Sequence, residues 1–269
     1  SWEIRQECYD QAHTGGESEL GTPPVCAGPD MKLEGLSILV TGGAGFIGSH
    51  LVEALSKNNH VIVYDNYSSA VIPYRGGMAA DILDQKKLTA AMRGVDVVFH
   101  LAVACVRLSL GNPRHVHDVN ATGTLNTLLA AKAARVKRFV YISSSEVYGS
   151  AVKPKIAENH PINPTTVYGM SKYIGELYTK QFSIPYVIIR PFNTYGPRAH
   201  FDSVYGEVIP RFCVRALNGM RPIIYGDGEQ TRDFTYISDT VEGIIKASAL
   251  VGQVVNIAYG KEVSINKLA

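Results

Sequence analysis

Ile38-Leu39-Val40-Thr41-Gly42-Gly43-Ala44-Gly45-Phe46-Ile47-Gly48-Ser49 is the stretch whose reading decides the fold. Its apolar opening is short enough for a buried strand, and apolar residues at helical spacing follow from Ser49 to Lys57. A second strand, Val61 to Tyr64, then ends on Asp65. Between first strand and helix each glycine has a mechanical reading. Gly42 permits the tight turn, Gly45 lets backbone approach a pyrophosphate, and Gly48 allows close packing of helix on strand. The helix N-terminus offers unpaired N–H groups to phosphate, and Asp65 is spaced to bind adenosine ribose hydroxyls. A carboxylate there repels a 2′-phosphate, so the expected cofactor is NAD.

Outward from this stretch, strands and helices alternate. Short apolar runs at Met78–Ala80, Val95–Leu101, Arg138–Ser143 and Tyr186–Arg190 read as strands. Leu88–Met92, Arg114–Ala134 and Thr166–Phe182 read as helices, the second with Val116, Val119, Leu125, Leu128, Leu129 and Ala133 on one side. Such alternation implies right-handed crossovers and a Rossmann-type doubly wound parallel sheet, an α/β fold whose ligand lies beyond the carboxyl ends of the strands. Past Pro191 the rhythm loosens, with a helix at Val241–Leu250 and a late strand at Val254–Ile257. The expected organisation is an irregular N-terminal extension at 1–36, an NAD-binding domain at 37–190, and at 191–269 a smaller C-terminal substrate lobe with elements returning to the first domain. Met31 reads as a natural start, and what precedes it as dispensable to the chemistry.

With 46% hydrophobic residues the chain can fill a core, and a net charge of +2 gives no reason to expect a nucleic-acid partner. No apolar stretch is long enough to span a membrane. The four cysteines, Cys8, Cys26, Cys105 and Cys213, lack metal-ligand spacing, so no metal is expected. Cys105 and Cys213 read as buried thiols of a reducing, cytoplasmic compartment.

Chemistry-bearing residues fall at the strand ends. Ser143-Ser144-Ser145-Glu146 follows one strand, while Tyr168 and Lys172 lie one turn apart on a helix and share a face. An ammonium beside a phenol favours the phenolate, so Tyr168 is the expected base, with Ser144 hydrogen-bonding the reacting hydroxyl.

Taken together, these segments resemble the extended short-chain dehydrogenase/reductases, and within them the nucleotide-sugar 4-epimerases related to UDP-glucose and UDP-glucuronate 4-epimerases. The matching motifs are Thr41–Gly48, Asp81-Ile82, His100–Ala102, Asn120 with Gly123-Thr124, Ser143–Gly149, Tyr168–Lys172, Arg190–Pro197 and Gly226–Phe234. The resemblance implies that Asp81 and Ile82 flank the adenine, that Tyr168 and Lys172 touch the nicotinamide ribose, and that Phe46, Ile47, Leu101, Ala102 and Asn120 complete the cofactor pocket. It implies Asn193, Val208 and Arg232 as substrate contacts, Arg232 through the diphosphate, and a homodimer paired through the two long helices. The implied activity is inversion at C4 of a UDP-hexose through a 4-keto intermediate. Glu207 stands where many relatives carry an asparagine that meets the diphosphate.

Two further readings stand beside this one. Glu146 occupies the place of a glutamate used by relatives that decarboxylate or dehydrate the 4-keto sugar. A non-catalytic NAD-sensing protein is the distant alternative, opposed by the intact Ser144, Tyr168 and Lys172. Val106-Arg107-Leu108-Ser109-Leu110-Gly111-Asn112-Pro113 also resembles a pattern of uronate epimerases, which would set Arg107 and Ser109 beside a C6 carboxylate.

Overall fold

The computed structural model describes residues 32–269 apart from 73, 75, 76, 154 and 203, so the extension through Met31, with Cys8 and Cys26, lies outside the described residues. Strands β1 (Ser37–Thr41), β2 (His60–Asp65), β3 (Met78–Ala79), β4 (Val97–His100), β5 (Arg138–Ile142), β6 (Tyr186–Pro191) and β9 (Gln253–Ile257) form one seven-stranded sheet. Their order is β3-β2-β1-β4-β5-β6-β9, and every pairing is parallel. The order reverses between β1 and β4, opening a crevice at their carboxyl ends. A parallel sheet needs helices on both faces, and the core divides accordingly. Leu39, Phe139, Tyr141 and Ile188 pack on one face, and Ile38, Val40, Val140, Ile142 and Ile189 on the other.

Helices α1 (Phe46–Leu55), α2 (Gln85–Ala91), α3 (Leu108–Gly111), α4 (Pro113–His117), α5 (Gly123–Ala134) and α6 (Val167–Gln181) fill the crossovers. Local chemistry fixes their starts. Asp84, Asn112 and Thr166 each accept a first-turn N–H at the head of α2, α4 and α6, and Pro113 occupies the first position of α4, where its missing N–H costs nothing.

The long helix expected over Arg114–Ala134 is interrupted. A π-helical turn at Asp118–Thr122 joins α4 to α5 and advances the phase of everything after it. Val116, Val119 and Leu128 are buried as expected, but α5 buries Thr124, Thr127, Leu128 and Ala131, an i, i+3, i+4, i+7 stripe. Leu129 and Ala133 therefore face outward, contrary to the single stripe read from sequence.

After β6 the chain builds β7 (Asn193–Tyr195), α7 (Val208–Leu217) and β8 (Thr231–Tyr236), then α8 (Ile237–Ala247), β9, β10 (Glu262–Ser264) and α9 (Ile265–Leu268). β10, β8 and β7 form a separate three-stranded sheet. α8 packs Ile237, Val241 and Ile244 onto the main sheet, and β9 pairs with β6. The C-terminus of α8 is gripped by Arg138, whose Nη1 donates to Ser248 O at 2.6 Å and Leu250 O at 2.7 Å. The segment after β7 is anchored back on α1. The His50 Nε2 meets Pro197 O at 3.0 Å, and the Arg198 guanidinium reaches Glu53 at 2.6 Å and Ser49 Oγ at 3.3 Å.

Candidate active site

At the carboxyl ends of β1, β2, β4, β5 and β6 lies a cavity of about 380 Å³. Its glycine end is shaped by steric necessity. Gly42 has φ +69°, and a Cβ there would lie 2.7 Å from Ala102 N; a Cβ on Gly48 would collide with Gly42 O. No side chain caps the first turn of α1, so its N–H groups stay available to an anion. Asp65 is buried, with Oδ2 accepting the Ala44 N–H at 2.9 Å and Oδ1 the Tyr67 N–H at 2.7 Å. Asp81 is steadied by the Asn66 amide and the Leu83 N–H, both at 2.9 Å. A bare glycine cradle, an uncapped helix and a fixed carboxylate fit an adenine dinucleotide.

The other end holds the reactive groups. Ser144, Glu146, Tyr168 and Lys172 all line the cavity, Ser144 just past β5 and the Tyr–Lys pair on the first turns of α6. Lys172 is 2% exposed, its Nζ 4.6 Å above the Tyr141 ring. Burial drops its pKa to about 7, against the pull of Glu176 one turn further on. Tyr168 departs from expectation. Burial pushes its phenol up to about 12, Ser144 works against this, and Glu146, Cys105 and Glu207 add to it. The protein alone favours the phenol form of Tyr168 at neutral pH, because desolvation and the nearby acids outweigh the Ser144 hydrogen bond.

Behind the pair runs a buried polar network that the sequence reading did not assign. Arg190 donates from Nε to Glu176 Oε1 at 2.8 Å and from Nη2 to Oε2 at 2.6 Å, while Ser143 Oγ donates to Oε1 at 2.6 Å. Nη1 of Arg190 reaches the Tyr148 hydroxyl at 2.7 Å. The signal was present in Glu176, four residues after Lys172 on the same helix face. His100 is likewise locked. Thr124 Oγ1 donates to Asn120 O, so it accepts from His100 Nε2 at 2.9 Å, and Thr41 Oγ1 donates to Nδ1 at 2.7 Å. The ring is the neutral Nε2–H tautomer, with burial and nearby Lys172 lowering its pKa to about 3.

The structure brings most of the candidate residues together. Gly42, Gly45, Phe46, Ile47, Gly48, Asp65, Asp81, Ile82, Leu101, Ala102, Arg107 and Asn193 share the cleft with the reactive groups, and His115, His200, Tyr205 and Glu207 join them. Four candidates lie outside the lining. Asn120 is buried beneath it, its carboxamide pairing with both Ala104 N and Ala104 O and with Ser171 Oγ. Ser109 is buried with its hydroxyl donating to Val106 O at 2.6 Å. Val208 is half-buried at the start of α7. Arg232 is exposed on β8 opposite Val263 of β10, its Nη1 donating to Thr231 O. Nor are both thiols buried: Cys213 lies on an exposed face of α7, and Cys105 opens on the cleft. No group of metal-ligating side chains and no membrane-spanning helix occurs among the described residues.

Residues 38–258 match the NAD dependent epimerase/dehydratase family. A putative UDP-glucose 4-epimerase of Methanocaldococcus jannaschii is 41% identical over 245 residues, covering 86% of this chain and 79% of the relative. A UDP-N-acetyl-alpha-D-glucosaminuronate decarboxylase of Bacillus cytotoxicus is 37% identical over 250 residues, covering 86% and 77%. Among solved structures, the UDP-N-acetylglucosamine 4-epimerase of Methanobrevibacter ruminantium M1 superposes with a TM-score of 0.82 at 36% identity, covering 87% of this chain and 80% of that one. Joined to a glycine cradle and a Ser–Tyr–Lys set in one cleft, these matches identify the chain as a member of the NAD-dependent epimerase/dehydratase family of extended short-chain dehydrogenase/reductases.

Proposed function

We propose that this protein is a nucleotide-sugar 4-epimerase, acting on a UDP-hexose through a transient 4-keto intermediate, as a homodimer in the cytoplasm. The observation that carries the reading is the meeting of Ser144, Tyr168 and Lys172 in one cleft whose far end is the glycine cradle. NAD, when bound there, supplies a reversible hydride acceptor. Tyr168 takes the proton of the sugar's 4-hydroxyl, and Ser144 holds that oxygen by a hydrogen bond. Lys172, one helical turn from Tyr168 in the same cleft, favours the phenolate when protonated, as would the positive charge of oxidised NAD when bound. The same Tyr168 returns the proton once the sugar has presented its other face, and with the hydride given back to C4 as well no net oxidation occurs.

Glu146 supports a second reading. Its carboxyl lines the same cleft and acts on the Tyr168 phenol, and a decarboxylase is among the relatives. An acid there could draw the 4-keto sugar toward loss of carbon dioxide or water. Proton NMR of products from UDP-glucose and UDP-glucuronate separates the two. The 4-epimer supports the proposal; carbon dioxide with a pentose, or a 4-keto-6-deoxy sugar, overturns it. Tyr168→Phe is expected to lower turnover by about a hundredfold or more while sugar nucleotide still binds.

A further inference from the structure

Lys172 is buried, yet no carboxylate lies within ion-pairing distance of its Nζ among the described residues. Glu176, one turn further along α6, gives its Oε1 to Ser143 and to Arg190 Nε, and its Oε2 to Arg190 Nη2. Burial works against the lysine's charge, and Glu176 supports it without a hydrogen bond. What receives the ammonium is Tyr141. The Lys172 Nζ stands 4.6 Å from the centroid of that ring, inside the reach of about 6 Å over which the negative face of an aromatic ring attracts a cation. The same tyrosine holds the other end of the lysine, its hydroxyl donating to Lys172 O at 3.0 Å.

Tyr141 is itself held still. It is fully buried on β5, its ring stacks on His100 of β4 with 5.8 Å between centroids, and His100 is in turn locked by Thr41 and Thr124. α6 makes room for the phenol at Gly175, where a Cβ would collide with the Tyr141 hydroxyl. One fixed ring thus meets both the head and the backbone of Lys172, and a cation over a ring gains most where water is excluded.

Building on the nucleotide-sugar reading above, we propose that Tyr141 is a positioning residue for the proton transfer: it seats the Lys172 ammonium on its ring, anchors the Lys172 carbonyl with its hydroxyl, and so keeps a positive charge beside Tyr168. Tyr141 lies behind the cleft lining and acts through Lys172. The titratable groups that face Lys172 from the surrounding elements are Tyr168 and Glu176 of α6, Tyr141 of β5 and His100 of β4. Glu176 is committed to Arg190, and His100 titrates at about 3, so neither changes charge while Lys172 titrates near neutrality.

The test follows Lys172 by NMR, with lysine labelled at Cε, in the NAD-loaded protein. It compares the unaltered chain, Tyr141→Phe, and Tyr141→Phe proteins whose introduced ring carries one, two or three fluorines, which drain the π face while leaving a ring in place. In the unaltered protein the Lys172 Hε protons are expected upfield of ordinary lysine, shifted by the ring current; an ordinary position overturns the proposal without recourse to a variant. Along the fluorine series the proton affinity of Lys172 should fall stepwise, by about tenfold in all. With UDP-glucose at one mildly alkaline pH, kcat should fall in the same order while KM holds, whereas a packing role for Tyr141 would not follow fluorine count. A Lys172 that titrates alike in folded members of the series overturns the proposal, as does a kcat indifferent to fluorine in a protein that inverts C4. A graded Lys172 without C4 inversion would sink the epimerase reading alone, and C4 inversion with an ungraded Lys172 would sink this one alone.

Discussion

At Asp65 one carboxylate holds the glycine turn through the Ala44 N–H and also faces the cleft where a ribose would lie. A 2′-phosphate brought there would meet a fixed negative charge, so direct titration is expected to give NAD a Kd lower than that of NADP by about tenfold or more; tighter NADP binding would contradict this. His100 makes a statement about pH. Its folded-state pKa of about 3 lies below the ordinary 6.5, so between those values the unfolded chain takes a proton that the folded one refuses. The neutral ring's contribution is whole above pH 6.5 and is lost as pH falls toward 3. Urea midpoints measured across that range should fall more steeply for the native sequence than for His100→Gln. Equal slopes would remove His100 from the acid response. The geometry behind this could not be read from the sequence, because Thr41, His100 and Thr124 are brought together by strand pairing and a crossover, not by spacing along the chain.

Among the elements, α6 depends most on groups outside itself. Its inward face carries Lys172 and Glu176, and the latter forms a fully buried pair with Arg190 of β6. Glu176→Gln leaves a buried guanidinium short of its partner, and chemical denaturation is expected to show a loss of about 3–5 kcal/mol. Replacing both, as Glu176→Gln/Arg190→Met, should cost less than the sum of the singles; strict additivity would mean the two groups do not act as a pair. Strands and helices were legible because their periods are written locally: β1 alternates Ile38, Leu39 and Val40 between two faces, and Thr166 announces the start of α6. What was not legible arose from phase and pairing. The π-turn at Asp118–Thr122 adds to the residues per turn, so one stripe projected along 114–134 drifts onto the outer face at Leu129 and Ala133. Arg232 was assigned from a motif, and its pairing position opposite Val263 became visible only with the small sheet formed.

For the whole molecule, the outward apolar residues of α5 and α6 are the feature to explain. Leu129, Met170 and Leu177 are 46%, 47% and 43% exposed on two helices that pack side by side, and a two-fold pairing of this face is the simplest closed assembly. Light scattering at micromolar concentration is expected to give a dimer mass, with Leu129→Glu/Leu177→Glu shifting it to the monomer; a native monomer would end the proposal. The cleft has a second boundary condition at its opposite wall. The segment supplying His200, Tyr205 and Glu207 is clasped to α1 by Pro197 and by the Arg198–Glu53 ion pair, whose partners are 28% and 51% exposed. A half-exposed pair weakens as salt screens it, and slackening it loosens a wall of the cleft that reaches, through Glu207, toward Tyr168. Ionic strength thereby becomes a handle on residence time: dissolved salt would hasten the exchange of whatever the cleft holds.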